Sequence, residues 1–245
     1  MQTFVIAEAG ISHCGKLEKA YEAIEVAEAA GADACKFQYF DAKKLAAARG
    51  KPELADFLKP YELPPNWLQK LKAKCDEVGV EFMATTYYAE AIADVAPLVK
   101  RFKIGHAERD KREFVSTHFP YGKEIVLSSP GTVSATYYKE WLANPCTVTW
   151  LYVTEKYPTP IEDVGLEYLH AFQDLPGPDG FSDHTRNVLM GALAVAAGAK
   201  IVEVHFEPWN VSHPDSCVSL SPSELAQYIQ NIRTAELAVY GASRG

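Results

Sequence analysis

The chain has 245 residues, 48% of them apolar and 23% charged, which suits a globular protein with a sizeable core and excludes a disordered or collagen-like composition. A formal net charge of −8 argues against nucleic acid or an anionic membrane as the main partner, since both need a clustered basic face. The five cysteines, Cys14, Cys35, Cys75, Cys146 and Cys217, are scattered without C-x-x-C pairs and read as reduced thiols. Met1 to Gly10 carries no basic region and no long apolar run, so a cytoplasmic protein without a membrane span is expected.

Apolar, β-branched runs alternate with segments of helical period along the whole chain. A strand is predicted over Thr3–Ala9, a helix over Leu17–Ala30 and a strand over Ala34–Tyr39. The proline-bearing segment Asp41–Pro65 is too long for an ordinary connection and reads as an arch over the mouth of the fold, either a lid or an inert excursion. A helix over Asn66–Val78, a strand over Glu81–Thr86, a helix over Ala89–Val95 and a strand over Arg101–Gly105 follow. Next come a weak helix near Asp110–His118, a strand over Glu124–Ser129, a helix over Ala135–Leu142 and a strand over Thr147–Thr154. The last units are a helix over Ile161–Phe172, a strand over Gly177–Asp183, a helix over Val188–Ala197, a strand over Lys200–Phe206 and a helix over Ser221–Tyr240. Eight strands, each followed by a helix, imply a single-domain α/β fold of the (β/α)8 TIM-barrel type.

Chemistry in such barrels gathers at the carboxyl ends of the strands. The polar residues there are Glu8, Lys36, Gln38, Thr85, Lys103, Glu108, Ser128, Ser129, Lys156, Tyr157, Ser182, Asp183, His184, Glu203 and His205. Lys36 and Lys103 interrupt short apolar runs, where an ammonium is costly to bury without an anion. A phosphate or carboxylate ligand would satisfy them, and so would a structural Asp or Glu across the barrel; with Ser128 and Ser182 nearby, the anion ligand is the favoured reading. His184 and His205 end adjacent predicted strands, where two imidazoles can meet one divalent cation. His118, His170 and His213 lack such a setting and are expected at the surface.

Taken in order, several stretches resemble the N-acetylneuraminate (sialic acid) synthase family: Ile6-Ala7-Glu8-Ala9-Gly10-Ile11-Ser12-His13, Gly31 to Gln38, Tyr157-Pro158-Thr159-Pro160, Gly180 to Thr185, Glu203-Val204-His205-Phe206 and Pro214-Asp215. The resemblance implies a barrel enzyme that condenses phosphoenolpyruvate with a sugar aldehyde, aided by a divalent metal, Mn2+ or Mg2+, to give a 2-keto sugar acid and phosphate. It implies His184 and His205 as metal ligands and Lys36, Thr85, Lys103, Ser128 and Ser182 around phosphoenolpyruvate. Glu8, Gln38, Glu108, Tyr157 and Asp215 would face the sugar or the reacting water, with Glu8 or Glu108 steering or deprotonating it. A homodimer is left open.

The sequence departs from that pattern at four places. His106 stands where the family has a small Ser, Lys156 where it has Asn, Ser216 follows Pro214-Asp215 where it has His, and Ser128-Ser129-Pro130 replaces Ser-Thr-Gly. The sequence ends at Gly245, where those synthases continue into an antifreeze-like domain that lends an arginine to the partner's sugar site. The expected acceptor is therefore not N-acetylmannosamine but a shorter or more anionic aldehyde, with Lys156 and His106 narrowing the mouth. Two other readings stand beside this one: a Schiff-base aldolase with Lys156 as nucleophile, and a non-catalytic barrel that binds a ligand or protein.

Overall fold

The computed structural model describes residues 2–130, 146–169, 179–209 and 211–241. Strands β1 (Phe4–Gly10), β2 (Ala34–Gln38), β3 (Glu81–Thr85), β4 (Arg101–Ile104), β5 (Glu124–Ser129), β6 (Val148–Tyr152), β7 (Gly180–Asp183) and β8 (Ile201–His205) form a closed barrel in chain order. Every neighbouring pair is parallel, and β1 closes on β8 with Glu8 opposite His205. The described helices are α1 (Leu17–Ala29), α2 (Ala42–Ala48), α3 (Ala55–Leu58), α4 (Pro65–Val78), α5 (Ala89–Val95), α6 (Arg112–Ser116), α7 (Met190–Ala196) and α8 (Pro222–Tyr240).

The two-residue pleat of each strand sorts its side chains between two cores. Val5, Ala7, Cys35, Phe37, Phe82, Phe102 and Val202 face outward and pack against the helices, including Ala23 and Ile24 of α1, Leu71 and Cys75 of α4, and Tyr228 and Ile232 of α8. Ile6, Ala34, Met83, Val126, Leu151 and Ile201 form a separate cluster, the apolar floor inside the barrel. Each fully buried Val, Leu, Ile, Phe or Met among them contributes about 1.5–3 kcal/mol by leaving water. Helix α8 starts with a capping box, in which the Ser221 hydroxyl accepts from Glu224 N–H and the Glu224 carboxylate from Ser221 N–H. Gly191 lets α7 and α8 meet, since a Cβ there would lie 2.5 Å from the Tyr228 ring.

The predicted strands hold to within a few residues; residues 177 and 178 of the seventh prediction lie outside the described residues, as does the predicted helix Ala135–Leu142. The expected helix over Ile161–Phe172 is instead two 3-10 turns, Ile161–Asp163 and Leu166–Leu169, in its described part. Gly165 separates them with φ +61°, a left-handed conformation that ends helical continuation. The helix near Asp110–His118 contracts to α6.

The long segment after β2 is ordered. Asp41 caps α2 by accepting from Lys44 N–H at 2.9 Å. Phe40, Ala42, Leu45 and Leu58 then pack with Ile11 and Tyr87 into a third apolar cluster. Leu45, Arg49 and Leu58 thereby line the cavity at the barrel mouth.

His118 is not a surface residue. It is fully buried, edge-on to Phe102 and Phe114, and its Nδ1 lies 3.1 Å from the Phe114 carbonyl. The reason is helical spacing: four residues from Phe114, the ring folds back over the last turn of α6. His170 lies outside the described residues. Among the described residues no helix is long and apolar enough to cross a membrane.

Candidate active site

One pleat above the floor, the inward positions change from apolar to charged. Glu8, Lys36, Lys103 and Glu203 come from β1, β2, β4 and β8 and are only 2–4% exposed. Lys36 Nζ lies 2.7 Å from Glu8 Oε2 and 3.5 Å from Glu203 Oε2, and it donates to Thr85 Oγ1 at 2.9 Å. Lys103 Nζ lies 3.6 Å from Glu203 Oε1 and donates to Ser128 Oγ at 2.8 Å and to the Ile104 carbonyl at 3.1 Å. Ser182 Oγ donates to Glu203 Oε1 at 2.9 Å.

Burial opposes every one of these charges, and the neighbours decide which survive. For Glu203, burial pushes the carboxyl up, but Lys103 and Lys36 outweigh it and bring it down to about 2. For Lys36, burial pulls the ammonium down, and Glu203 and Glu8 more than reverse that. In Lys103 burial wins over Glu203, so its ammonium is lowered. Burial also wins in Glu8, whose carboxyl is raised in spite of Lys36. The result is two ammoniums on one firmly ionised carboxylate, with Glu8 the member readiest to take a proton. The structural carboxylates that the sequence offered as the alternative to an anion ligand are present: an unpaired buried ammonium costs several kcal/mol, and Glu203 and Glu8 offset that cost. Both lysines still line the cavity.

The cavity above has a volume of about 240 Å³. His184, one residue beyond β7, and His205, at the end of β8, bring their ring centroids to 5.4 Å. Tyr157 packs edge-on against both, at 4.8 and 6.0 Å. Burial, reinforced by His205, holds the His184 imidazole well below its ordinary range, so it stays neutral with a lone pair to give. Its Nδ1 is buried and has no hydrogen-bond partner among the described residues. These are the properties of residues that can hold a divalent ion. Among the described residues no group of three or more His, Cys, Asp or Glu gathers for a metal.

A hydrogen-bonded wall runs beside the imidazoles. Tyr87 Oη donates to Gln38 Oε1 at 2.8 Å, Gln38 Nε2 donates to Asp215 Oδ2 at 3.1 Å, and Tyr157 Oη donates to Asp215 Oδ1 at 2.8 Å. Gly10, with φ +54°, ends β1 beneath this wall; a Cβ there would lie 3.1 Å from Gln38 Nε2 and 3.4 Å from Asp215 Oδ2. His106 and Glu108 sit on the 3-10 turn after β4. Burial lowers the His106 imidazole, and Arg109 adds to this; burial raises the Glu108 carboxyl, only partly offset by Lys111 at 3.6 Å.

The sequence matches the NeuB family over residues 23–243. This chain belongs to the NeuB family. It is 32% identical over 260 residues to the N,N'-diacetyllegionaminic acid synthase of Legionella pneumophila, covering 96% of this chain and 73% of that protein. It is 30% identical over 259 residues to the human N-acetylneuraminate-9-phosphate synthase, covering 96% of this chain and 71% of the relative. The crystal structure of the N-acetylneuraminic acid synthetase from Leptospira borgpetersenii superposes with a TM-score of 0.88 at 25% identity, covering all of this chain and 87% of that one. A truncated 3-deoxy-D-arabino-heptulosonate 7-phosphate synthase from Thermotoga maritima, at 14% identity and a TM-score of 0.74, shares the fold.

In this NeuB-family barrel, Glu8, Lys36, Gln38, Thr85, Lys103, His106, Glu108, Ser128, Tyr157, Ser182, His184, His205 and Asp215 all line one cavity. Lys156 does not. Its side chain is 63% exposed and its ammonium lies 2.6 Å from Asp163 Oδ2, because Tyr157 takes the inward direction and leaves its neighbour outside. The expectation that Lys156 narrows the mouth is therefore corrected, whereas His106 does line it. His213 is also corrected from surface to interior: it is 7% exposed with Nε2 2.7 Å from Glu207 Oε2. Ser216 Oγ donates to the same carboxylate oxygen at 2.9 Å. Sequence reading missed Glu203 as the counterion shared by both lysines; its signal was the inward position two residues before His205. It missed Tyr87 and Arg49 as lining residues, and neither carries a local signal.

Proposed function

We propose that the cavity condenses phosphoenolpyruvate with the open-chain aldehyde of a sugar, giving a 2-keto sugar acid and inorganic phosphate. One observation carries the reading: two buried ammoniums with hydroxyls hydrogen-bonded around them share a cavity with two imidazoles whose centroids are 5.4 Å apart. The relatives named above, an N,N'-diacetyllegionaminic acid synthase and an N-acetylneuraminate-9-phosphate synthase by name, support it.

Lys36 and Lys103, with Thr85, Ser128 and Ser182, hold the phosphate and carboxylate of phosphoenolpyruvate through charge-assisted hydrogen bonds. The ligand's oxygens compete with Glu8 and Glu203 for the same ammoniums. Gln38, His106, Tyr157 and Asp215 orient the acceptor. Held by Gln38 and Tyr157, Asp215 keeps a fixed carboxylate toward the acceptor's hydroxyls. A divalent ion, manganese or magnesium, held by His184 and His205 supplies Lewis acidity at the acceptor carbonyl when bound.

Carbon 3 of the enol bonds to the carbonyl carbon of the acceptor. Water then adds at carbon 2, and phosphate departs with the bridging oxygen to leave the ketone. Glu8, whose burial favours proton uptake, takes one proton of that water and returns it to the acceptor's new hydroxyl oxygen, and the other proton leaves with the phosphate as the ketone forms. Glu108 lines the same cavity and orients the water. The Schiff-base alternative loses its support, because the Lys156 ammonium is exposed and paired with Asp163.

The test is incubation with phosphoenolpyruvate, Mn2+ and a panel of aldoses, followed by phosphate assay and mass spectrometry. The expected result is one phosphate per adduct, the adduct having the mass of both substrates plus water minus phosphoric acid, and its loss on chelation. Phosphate without adduct, or a borohydride-trapped keto-acid adduct on the protein, would overturn the proposal.

A further inference from the structure

We infer that Arg49 is a specificity-determining residue of this cavity and that it reads an anionic group, a phosphate or a carboxylate, on the acceptor at a position remote from its carbonyl. The inference rests on the condensation proposed above.

Arg49 caps the carboxyl end of α2, in the segment that arches over the barrel mouth. Leu45 and Leu58 of that segment pack with Ile11, Phe40 and Tyr87, which fixes the backbone carrying the guanidinium. The guanidinium lies over the Tyr87 ring, its carbon 5.6 Å from the centroid. Tyr87 is the first member of the wall that continues through Gln38 to Asp215, so Arg49 extends the acceptor side of the cavity toward solvent.

Other cations near the cavity are paired with carboxylates, whereas among the described residues Arg49 is in an ion pair with none. Lys36 and Lys103 share Glu203 in the layer above the floor, and Arg109, which donates to the His106 carbonyl, pairs with Asp110 and Glu155. The nearby acid that senses its charge is Glu108, whose carboxyl is nonetheless raised by burial. An arginine stays charged and offers a planar fork that matches phosphate or carboxylate with two parallel hydrogen bonds. Stacking on Tyr87 orients that fork before a ligand arrives. The anionic groups of phosphoenolpyruvate are matched by the two lysines above the floor, which leaves Arg49 for the second substrate.

The experiment has two arms. In the first, kcat/KM is measured with phosphoenolpyruvate and Mn2+ for a neutral aldohexose, its 6-phosphate and the corresponding uronic acid, in wild type, Arg49→Gln and Arg49→Lys. In wild type one of the two anionic acceptors should exceed the neutral sugar by about ten-fold or more, as expected for one charge-assisted contact. Which one leads distinguishes phosphate from carboxylate. Arg49→Gln should bring that ratio to within about two-fold, and Arg49→Lys should fall between. In the second arm, the unreactive alditol 6-phosphate and aldonic acid are titrated calorimetrically into the same proteins, with circular dichroism to verify folding. One of them should bind wild type about ten-fold tighter than Arg49→Gln. This arm stands even if no condensation is observed, so a failed condensation and a failed Arg49 contact give different results. Equal acceptor ratios in wild type and Arg49→Gln, or equal titrations, would overturn the inference.

Discussion

Two layers of the barrel interior are built from the same strands, one pleat apart. From Ile6 to Glu8, Ala34 to Lys36, Val126 to Ser128 and Ile201 to Glu203, a step of two residues exchanges an apolar side chain for a polar one pointing the same way. The lower layer is stabilised by leaving water, at about 25 cal/mol per Å² of apolar surface. The upper layer carries a desolvation cost that its ion pairs and hydroxyls only offset. Stability therefore resides below and the candidate site above, on the same strands.

This contrast can be broken from either side. Glu203→Gln leaves Lys36 and Lys103 to share Glu8, and by analogy with other broken buried pairs it should cost about 3–5 kcal/mol of stability, read as a lowered denaturant midpoint. A less obvious effect comes from outside the barrel wall. Burial pulls the His118 imidazole from 6.5 to about 4. Below pH 6.5 the unfolded chain therefore binds a proton that the native state refuses, and stability falls until about pH 4. At about 1.4 kcal/mol per unit this corresponds to on the order of 3 kcal/mol, and His118→Leu should flatten that part of a Tm-against-pH curve. In the floor, Ile6→Val should cost only about 0.5–1.5 kcal/mol by thermal unfolding and leave kcat/KM unchanged. Lys156→Ala removes only an exposed ion pair, so its stability should stay within about 1 kcal/mol and its activity should match wild type. A large loss of activity there would return the Schiff-base reading to consideration.

The barrel was legible because eight apolar runs alternate with helical periods, a local pattern that needs no tertiary knowledge. Lys36 and Lys103 were legible for the opposite reason: a lysine inside a buried strand conflicts with its surroundings and so points to a site. The shared role of Glu203 was not legible, since it depends on β8 closing against β1 across the whole chain. Nor does sequence give the direction of a side chain in an irregular loop, which is why Lys156 and Tyr157, adjacent in the chain, exchanged apparent importance. His118 and His213 look like surface histidines until Phe102 and Glu207 are brought to them by folding. Gly165 broke a helical period that its flanking residues otherwise sustain.

The central claim is that the upper layer is an anion site whose ammoniums are held ready by Glu203. Lys103→Met tests it with the least disturbance, because Glu203 keeps Lys36 as a partner. Calorimetric titration of phosphoenolpyruvate, in the presence of Mn2+, into wild type, Lys103→Met and Ile6→Val compares the two layers directly. The account predicts affinity reduced by about 10²-fold in Lys103→Met, as for loss of one preorganised donor to a charged ligand, and equal to wild type in Ile6→Val. Equal affinity in all three proteins, or no binding to wild type, would contradict it.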